Sequence, residues 1–170
     1  MITQADLHEW LNYNPETGVF TWNKKPNRRI KAGSAASNPR RDGYERIGLM
    51  GRRYLTHRLA WLHVFGELPD CDIDHINGDP SDNRICNLRK ASRSENLFNR
   101  GPGKNNKSGH KGVFWNSKSQ RWQAVAQVRG VSHCLGFYRE KSAAVQAYRE
   151  FAKCVHGEFY RNPSRQDKAA

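Results

Sequence analysis

The sequence predicts an α+β chain assembled from small modules, and three observations carry that reading. Apolar residues are only 36% of the 170 and the mean hydropathy is -0.92, too little for one extensive core. Five Trp, six Tyr and seven Phe nevertheless argue against disorder, because disordered chains are poor in aromatics. The third observation is order: strand, irregular loop, strand and capped helix over about residues 71–100, then three strands and one helix over 110–162.

The elements follow in turn. Thr3-Gln4-Ala5-Asp6 resembles a capping box and opens a short helix through Leu7, Trp10 and Leu11. Asn14 to Gly18 is a turn, and Val19-Phe20-Thr21-Trp22 reads as a strand. Residues 23 to 42 form a long basic loop, closing an N-terminal region over 1–43. Tyr44 to Leu49 and Arg53 to Thr56 flank Met50-Gly51-Arg52 as a hairpin, and Thr56 caps a helix from His57 to Phe65 that ends at Gly66. Cys71 to Ile76 is a strand, Asn77 to Asn83 a turn-rich loop, and Asn87 to Ala91 a second strand. Ser92-Arg93-Ser94-Glu95 is a capping box for a helix to about Arg100. Gly101 to Gly109 reads as a flexible cationic linker.

Beyond it, Gly112 to Trp115, Arg121 to Arg129 and Ser132 to Tyr138 read as strands. In the middle one, Trp122, Ala124, Ala126 and Val128 alternate with Gln123, Val125, Gln127 and Arg129, so one face packs and the other is largely polar. Ala144, Ala147, Tyr148, Phe151, Ala152 and Val155 recur at helical spacing, with Gly157 as the cap. Residues 163–170 are a tail.

Charge narrows the partner. Twenty-nine Lys and Arg against sixteen acids give +13 and a pI near 10.0, the balance of a chain that binds a polyanion. Between Arg89 and Arg129 there are ten Lys or Arg and one acid, Glu95, a run suited to tracking a phosphate backbone. The four cysteines stand without a C-x-x-C pair, which argues against a tetrahedral zinc site and for reduced thiols. Met1 to Trp10 lacks the basic start and apolar core of a signal peptide, and no run approaches a membrane span.

Asp74 and His75 are adjacent at a strand end, Asn87 lies thirteen residues on, and Asn96 nine further, inside the capped helix. Phosphodiester hydrolysis needs a base to activate water and a cation to neutralise phosphate charge. Neighbouring strand residues face opposite ways, so Asp74 and His75 do not form one ligand pair unless the strand end twists. A ββα hairpin instead lets His75 face the attacking water while Asp74 and Asn96 hold a metal between strand and helix. Carboxylate and amide oxygens favour Mg²⁺ or Mn²⁺.

The segment Asp74-His75-Ile76-Asn77-Gly78-Asp79, Asn83, Asn87-Leu88-Arg89 and Ser94-Glu95-Asn96 resembles phage and intron-encoded HNH homing endonucleases. His57-Arg58-Leu59-Ala60-Trp61 and Gly66-Glu67-Leu68-Pro69 resemble the lead-in of the same group. The resemblance spans a module over 44–100 whose ββα core is about 71–100. It implies His75 as general base, Asp74 and Asn96 as ligands of one divalent ion per active site, and Asn87 as the residue that braces the loop and orients His75. Asn96 stands where many members have a second His, matching the oxygen-ligated Mg²⁺/Mn²⁺ subgroup. Arg93 and Arg100 share a helical face with Asn96, as a phosphate clamp or as a solvated face. His57 and His63 lie outside the motif and are expected to pack or to meet the DNA backbone.

Lys111-Gly112-Val113, Arg121-Trp122-Gln123-Ala124, Leu135-Gly136-Phe137-Tyr138 and Ala143 to Tyr148 resemble the DNA-binding domain of plant Apetala and ethylene-response factors. That resemblance implies a three-stranded sheet in the major groove, backed by the helix, with Gln123, Gln127 and Arg129 facing DNA and Trp122 packed on Phe151. Phe114, Asn116, Ser132 and Cys134 replace several base-reading arginines, so the recognised sequence does not carry over. Lys104, Lys107, Lys111 and Arg121 complete the expected phosphate-binding set.

Together these predict a site-specific, strand-nicking endonuclease of homing type acting on double-stranded DNA. It would be monomeric on DNA and, if phage-encoded as the resemblance implies, at work in the cytoplasm of a bacterial host. The alternative is a DNA-binding regulator with an inactive nuclease module. Intact Asp74, His75, Asn87 and Asn96 count against that alternative.

Overall fold

The computed structural model describes residues 2–99, 101–103, 105–128 and 130–160, apart from the side chains of Ser94, Phe98 and Glu158. The chain divides into two compact units, Met1–Ser92 and Arg93–Ala170.

In the first unit, α1 (Gln4–Trp10) starts on the expected capping box, with Asp6 N–H donating to Thr3 Oγ1 and Thr3 N–H to the Asp6 carboxylate. The helix stops one residue earlier than the sequence suggests. Leu11 turns extended and begins β1 (Leu11–Tyr13), which pairs antiparallel with β2 (Phe20–Trp22). Residues 23–42 are not wholly loop: β3 (Asn38–Pro39) adds to β4 (Glu45–Leu49) and β5 (Arg52–Leu55) in a three-stranded antiparallel sheet. Met50 and Gly51 both have positive φ, 50° and 72°, the backbone of a tight two-residue hairpin.

Strand β5 runs directly into α2 (Thr56–Phe65), so Leu55 is the N-cap and Thr56 is the first helical residue. Thr56 is therefore not the side-chain cap its position suggested. Gly66 ends the helix in the left-handed conformation, as expected. Then β6 (Asp72–His75) and β7 (Leu88–Ala91) form an antiparallel pair, joined through a short 3₁₀ turn at Ile85–Asn87.

The stretches read separately as 1–43 and 44–100 share one apolar core in this unit. Leu7, Leu11 and Phe20 are buried with Ile47, Leu59, Ile73 and Leu88. Each such side chain contributes about 1.5–3 kcal/mol when fully buried, so the two-stranded β6–β7 pair stands on a common platform. A hairpin of that size is marginal alone.

The second unit opens with α3 (Arg93–Asn99). Within 101–109, read as a flexible linker, residues 105–109 form a hydrogen-bonded turn that runs into His110. Asn106 Nδ2 and Ser108 Oγ both donate to the His110 carbonyl, and Lys141 Nζ donates to the Ser108 carbonyl. Strands β8 (Val113–Asn116), β9 (Arg121–Val128) and β10 (Val131–Tyr138) form the expected antiparallel sheet, with β9 central, and α4 (Lys141–His156) packs on it. Val113, Ala124, Ala126, Ala144, Tyr148 and Ala152 make the core. A Cβ on Gly112 would lie 2.1 Å from the Tyr148 ring and 2.6 Å from the Val125 carbonyl, so only glycine lets β8 approach there. No helix among the described residues is long and apolar enough to cross a membrane.

Candidate active site

Strand β6 ends on Asp74 and His75, which face Arg89 and Leu88 across the β6–β7 pair. Both are buried, at 5% and 4% exposure. Arg89 reaches Asp74 directly, Nε and Nη2 donating to Oδ2 at 3.0 and 2.9 Å. Direct opposition in the register creates this contact, because paired residues project from the same face.

The loop after His75 is held by asparagines. Gly78 N–H donates to the His75 carbonyl at 2.8 Å, turning the chain at a positive φ of 67°. Asn87 Oδ1 accepts from the Asn77 N–H at 3.0 Å, and Asn87 Nδ2 donates to Asn77 Oδ1 and to the Asp82 carbonyl. Asn83, buried to 2%, uses Nδ2 to donate to Glu45 Oε2 and to the Ser81 carbonyl. That leaves its Oδ1 toward His75, 3.4 Å from Nε2. The Tyr13 hydroxyl donates to the Asn83 carbonyl at 2.7 Å. A Cβ on Gly18 would meet the Asn83–Arg84 backbone at 2.6 Å, so the β1–β2 turn also supports this loop.

Of the two roles expected of His57, packing and a DNA-backbone contact, it takes the first. It is 6% exposed and cannot serve as a DNA-backbone contact. Its ring stands edge-on to His75 at 5.0 Å between centroids, and Tyr44 closes the group at 5.5 Å from His57 and 5.8 Å from His75. His57 Nδ1 is buried without a hydrogen-bond partner among the described residues. Burial, then the neighbouring His75 and Arg58, pushes its pKa down to about 3. Burial also lowers the pKa of His75, against smaller opposing effects of Asn83, Asp74, Asp79 and Asp82. The His57 ring is therefore neutral at pH 7. His63 packs instead against His8, Tyr13 and Phe20.

A testable consequence concerns acid stability. An unfolded His titrates near 6.5, so the unfolded chain takes up a proton first as pH falls, while folded His57 stays neutral to about 3. Its contribution is fully present above pH 6.5 and is lost progressively below it, on the order of 2 kcal/mol by pH 5. His57→Phe keeps a ring of similar size, so urea unfolding between pH 7 and 5 should show a flatter loss than wild type. Parallel losses in both proteins would contradict the assignment.

The structure brings Asp74, His75 and Asn87 together around one loop. Asn96 is half-buried and Arg93 exposed on α3, within the second unit. Lys107, Arg121 and Gln127 are exposed and Gln123 is half-buried. Lys111 Nζ donates to the Leu97 carbonyl. Arg100, Lys104 and Arg129 lie outside the described residues. Trp122 joins the second unit's core, its ring against Trp115 at 5.3 Å, while Phe151 meets His133. Sequence reasoning gave no role to Arg89, Asn83 or Tyr44, and did not pair His57 with His75. Only the Asp74–Arg89 contact had a usable signal, the strand register.

Among the described residues no three His, Cys, Asp or Glu side chains converge as a ligand set. The four cysteines are free thiols. Asp74 offers a carboxylate, a hard oxygen donor of the kind taken by a divalent ion that keeps several waters.

Comparison with known proteins assigns the class. Residues 54–97 match the HNH endonuclease family, a span that runs from the end of β5 into α3. The chain belongs to that family. Protein 3.8 of Escherichia phage T7 is 30% identical over 122 residues, 71% of this chain and 98% of the phage protein. An uncharacterised HNH endonuclease of Acanthamoeba polyphaga mimivirus, L560, is 29% identical over 120 residues, 70% of this chain and 62% of its own length. Among solved structures, the HNH homing endonuclease I-HmuI, described for DNA binding and cleavage, is 24% identical with a TM-score of 0.41. That alignment covers 81% of this chain and 76% of I-HmuI.

Proposed function

We propose that this HNH endonuclease is a site-specific, strand-nicking enzyme of homing type, hydrolysing double-stranded DNA with one Mg²⁺ or Mn²⁺ per active site. The observation that carries the reading is His75: a buried imidazole fixed beside a carboxylate on an asparagine-braced loop. Asn83 Oδ1 is an acceptor, so Nε2 keeps its hydrogen and the lone pair that takes the water's proton sits on Nδ1. Asn87 keeps the loop from moving His75 off that line. Asp74 and Asn96 would hold the ion. When bound, it neutralises charge on the phosphate and the leaving oxygen. Arg89 holds Asp74 oriented at its strand end.

The second unit anchors the DNA, in keeping with its likeness to Apetala and ethylene-response domains. Residues 93–170 carry fifteen Lys and Arg against five acids, whereas 1–92 carry fourteen against eleven. Phosphate contacts dominate DNA affinity, so Arg93, Arg100, Lys104, Lys107, Lys111 and Arg121 hold the backbone, while Gln123, Gln127 and Arg129 face the groove. The enzyme works as a monomer, in the bacterial cytoplasm if phage-encoded. One active site per chain then cuts one strand per visit.

End-labelling each strand of a cleaved duplex tests this. One labelled strand should shorten at a defined position under single-turnover conditions, with its complement intact. Simultaneous scission of both strands at equal rate would overturn the nicking assignment.

A further inference from the structure

The β8–β9–β10 sheet has one face packed on α4 and one face with no partner among the described residues of the second unit. Across the middle of that open face runs a single row. Phe114 of β8 and Phe137 of β10 stand directly opposite Gln123 of β9, one on each side. Both rings are large and apolar yet 45% and 42% exposed. The Gln123 amide between them is oriented by its neighbours: Oε1 accepts from Asn116 Nδ2 at 3.3 Å, and Nε2 approaches Cys134 Sγ at 3.5 Å. Each of these atoms keeps further capacity, a second lone pair on the oxygen and a second hydrogen on the nitrogen. Among the described strand residues, this face carries no acid and one cation, Arg121.

Base-pair edges have a matching chemistry. An oriented carboxamide forms a two-bond pair with adenine N6–H and N7, and apolar side chains contact the thymine methyl, whereas guanine is read by an Arg or Lys. Neighbouring strands lie about 4.8 Å apart, on the order of the 3.4 Å rise between base pairs. If the strands cross the groove, the rings on either side of Gln123 would reach methyl groups of the neighbouring pairs. The unit's excess of ten positive charges supplies the attraction to the phosphates that flank such a groove.

We propose that this face reads A·T pairs in the DNA major groove, Gln123 pairing with adenine and Phe114 and Phe137 seating against thymine methyls. The inference rests on the reading above in which the second unit holds DNA, and adds the base class and the residues that select it.

The test uses the full chain in EDTA, where binding is measured without cleavage. A preferred duplex is selected from a random-sequence library, and each thymine of that duplex is then replaced by uracil, which deletes only the methyl. The selected site should contain A·T pairs, and uracil at one or two positions should weaken wild-type binding about three- to fivefold per contacted methyl. Phe114→Ala and Phe137→Ala should each lose sensitivity to one of those positions, while Phe114→Leu keeps it. Gln123→Ala should relax the choice of adenine. Circular dichroism checks folding, and exposed rings are not core.

If the phenylalanine variants lose affinity equally on thymine and uracil DNA, the sheet touches DNA without reading methyls and this inference is wrong while the anchoring role stands. If all three variants bind every duplex like wild type, this face does not meet DNA, and the inference falls together with the groove-facing role of Gln123.

Discussion

Replacing His75 by alanine is expected to lower the single-turnover nicking rate by about 1,000-fold while changing DNA affinity by less than about threefold. A general base contributes roughly 10²–10⁴ to rate and acts in the transition state, so its loss should spare ground-state binding. The wild-type rate should rise with pH as His75 loses its proton and level off at a pH below that of an ordinary histidine, because burial lowers its pKa. The variant's residual rate should lack that rising limb. Gel-shift affinity and single-turnover rates on one labelled duplex measure both quantities. Nicking by purified His75→Ala at near wild-type rate would remove His75 from the mechanism.

The second large effect is expected at Asp74, and it has two separable parts. Asp74→Ala should reduce nicking about 1,000-fold or more through loss of the carboxylate proposed to hold the ion. It should also destabilise the first unit, because Arg89 donates twice to Asp74 in a largely buried pair. Removing one member of such a pair typically costs about 3–5 kcal/mol, mostly from the stranded partner. Adding Arg89→Ala to Asp74→Ala should therefore recover much of the stability and none of the activity. Urea unfolding and nicking assays on the single and double variants separate the parts. Activity returning with stability would show that Asp74 matters only for folding.

How much was readable beforehand depends on the range of the interaction. The capping box at Thr3, the Met50–Gly51 hairpin, the Gly66 cap and the alternation along β9 are local, and each appears where the residues placed it. The Asp74–His75 pair and Asn87 were legible from spacing, since a strand–loop–strand hairpin fixes them. The ring cluster was not. His57 sits eighteen residues before His75, on a helix whose pattern looks like ordinary core packing, and only the three-dimensional path of α2 brings the rings together. Asn83 was hidden for a similar reason: its side chain is aimed by Glu45 and its backbone by Tyr13, contacts 38 and 70 residues away. Thr56 misled as a cap because cap residues are recognised by type, whereas here β5 continues straight into α2.

The most direct test of the central claim, metal-supported phosphodiester hydrolysis by the HNH site, is relaxation of supercoiled plasmid by the purified full chain. With Mg²⁺ or Mn²⁺ the plasmid should pass to the open circle, and EDTA should stop the reaction at once. Excess Mg²⁺ added afterwards should restart it. Nicking that continues undiminished in EDTA, or a protein that carries stoichiometric zinc and ignores added Mg²⁺, would contradict the account.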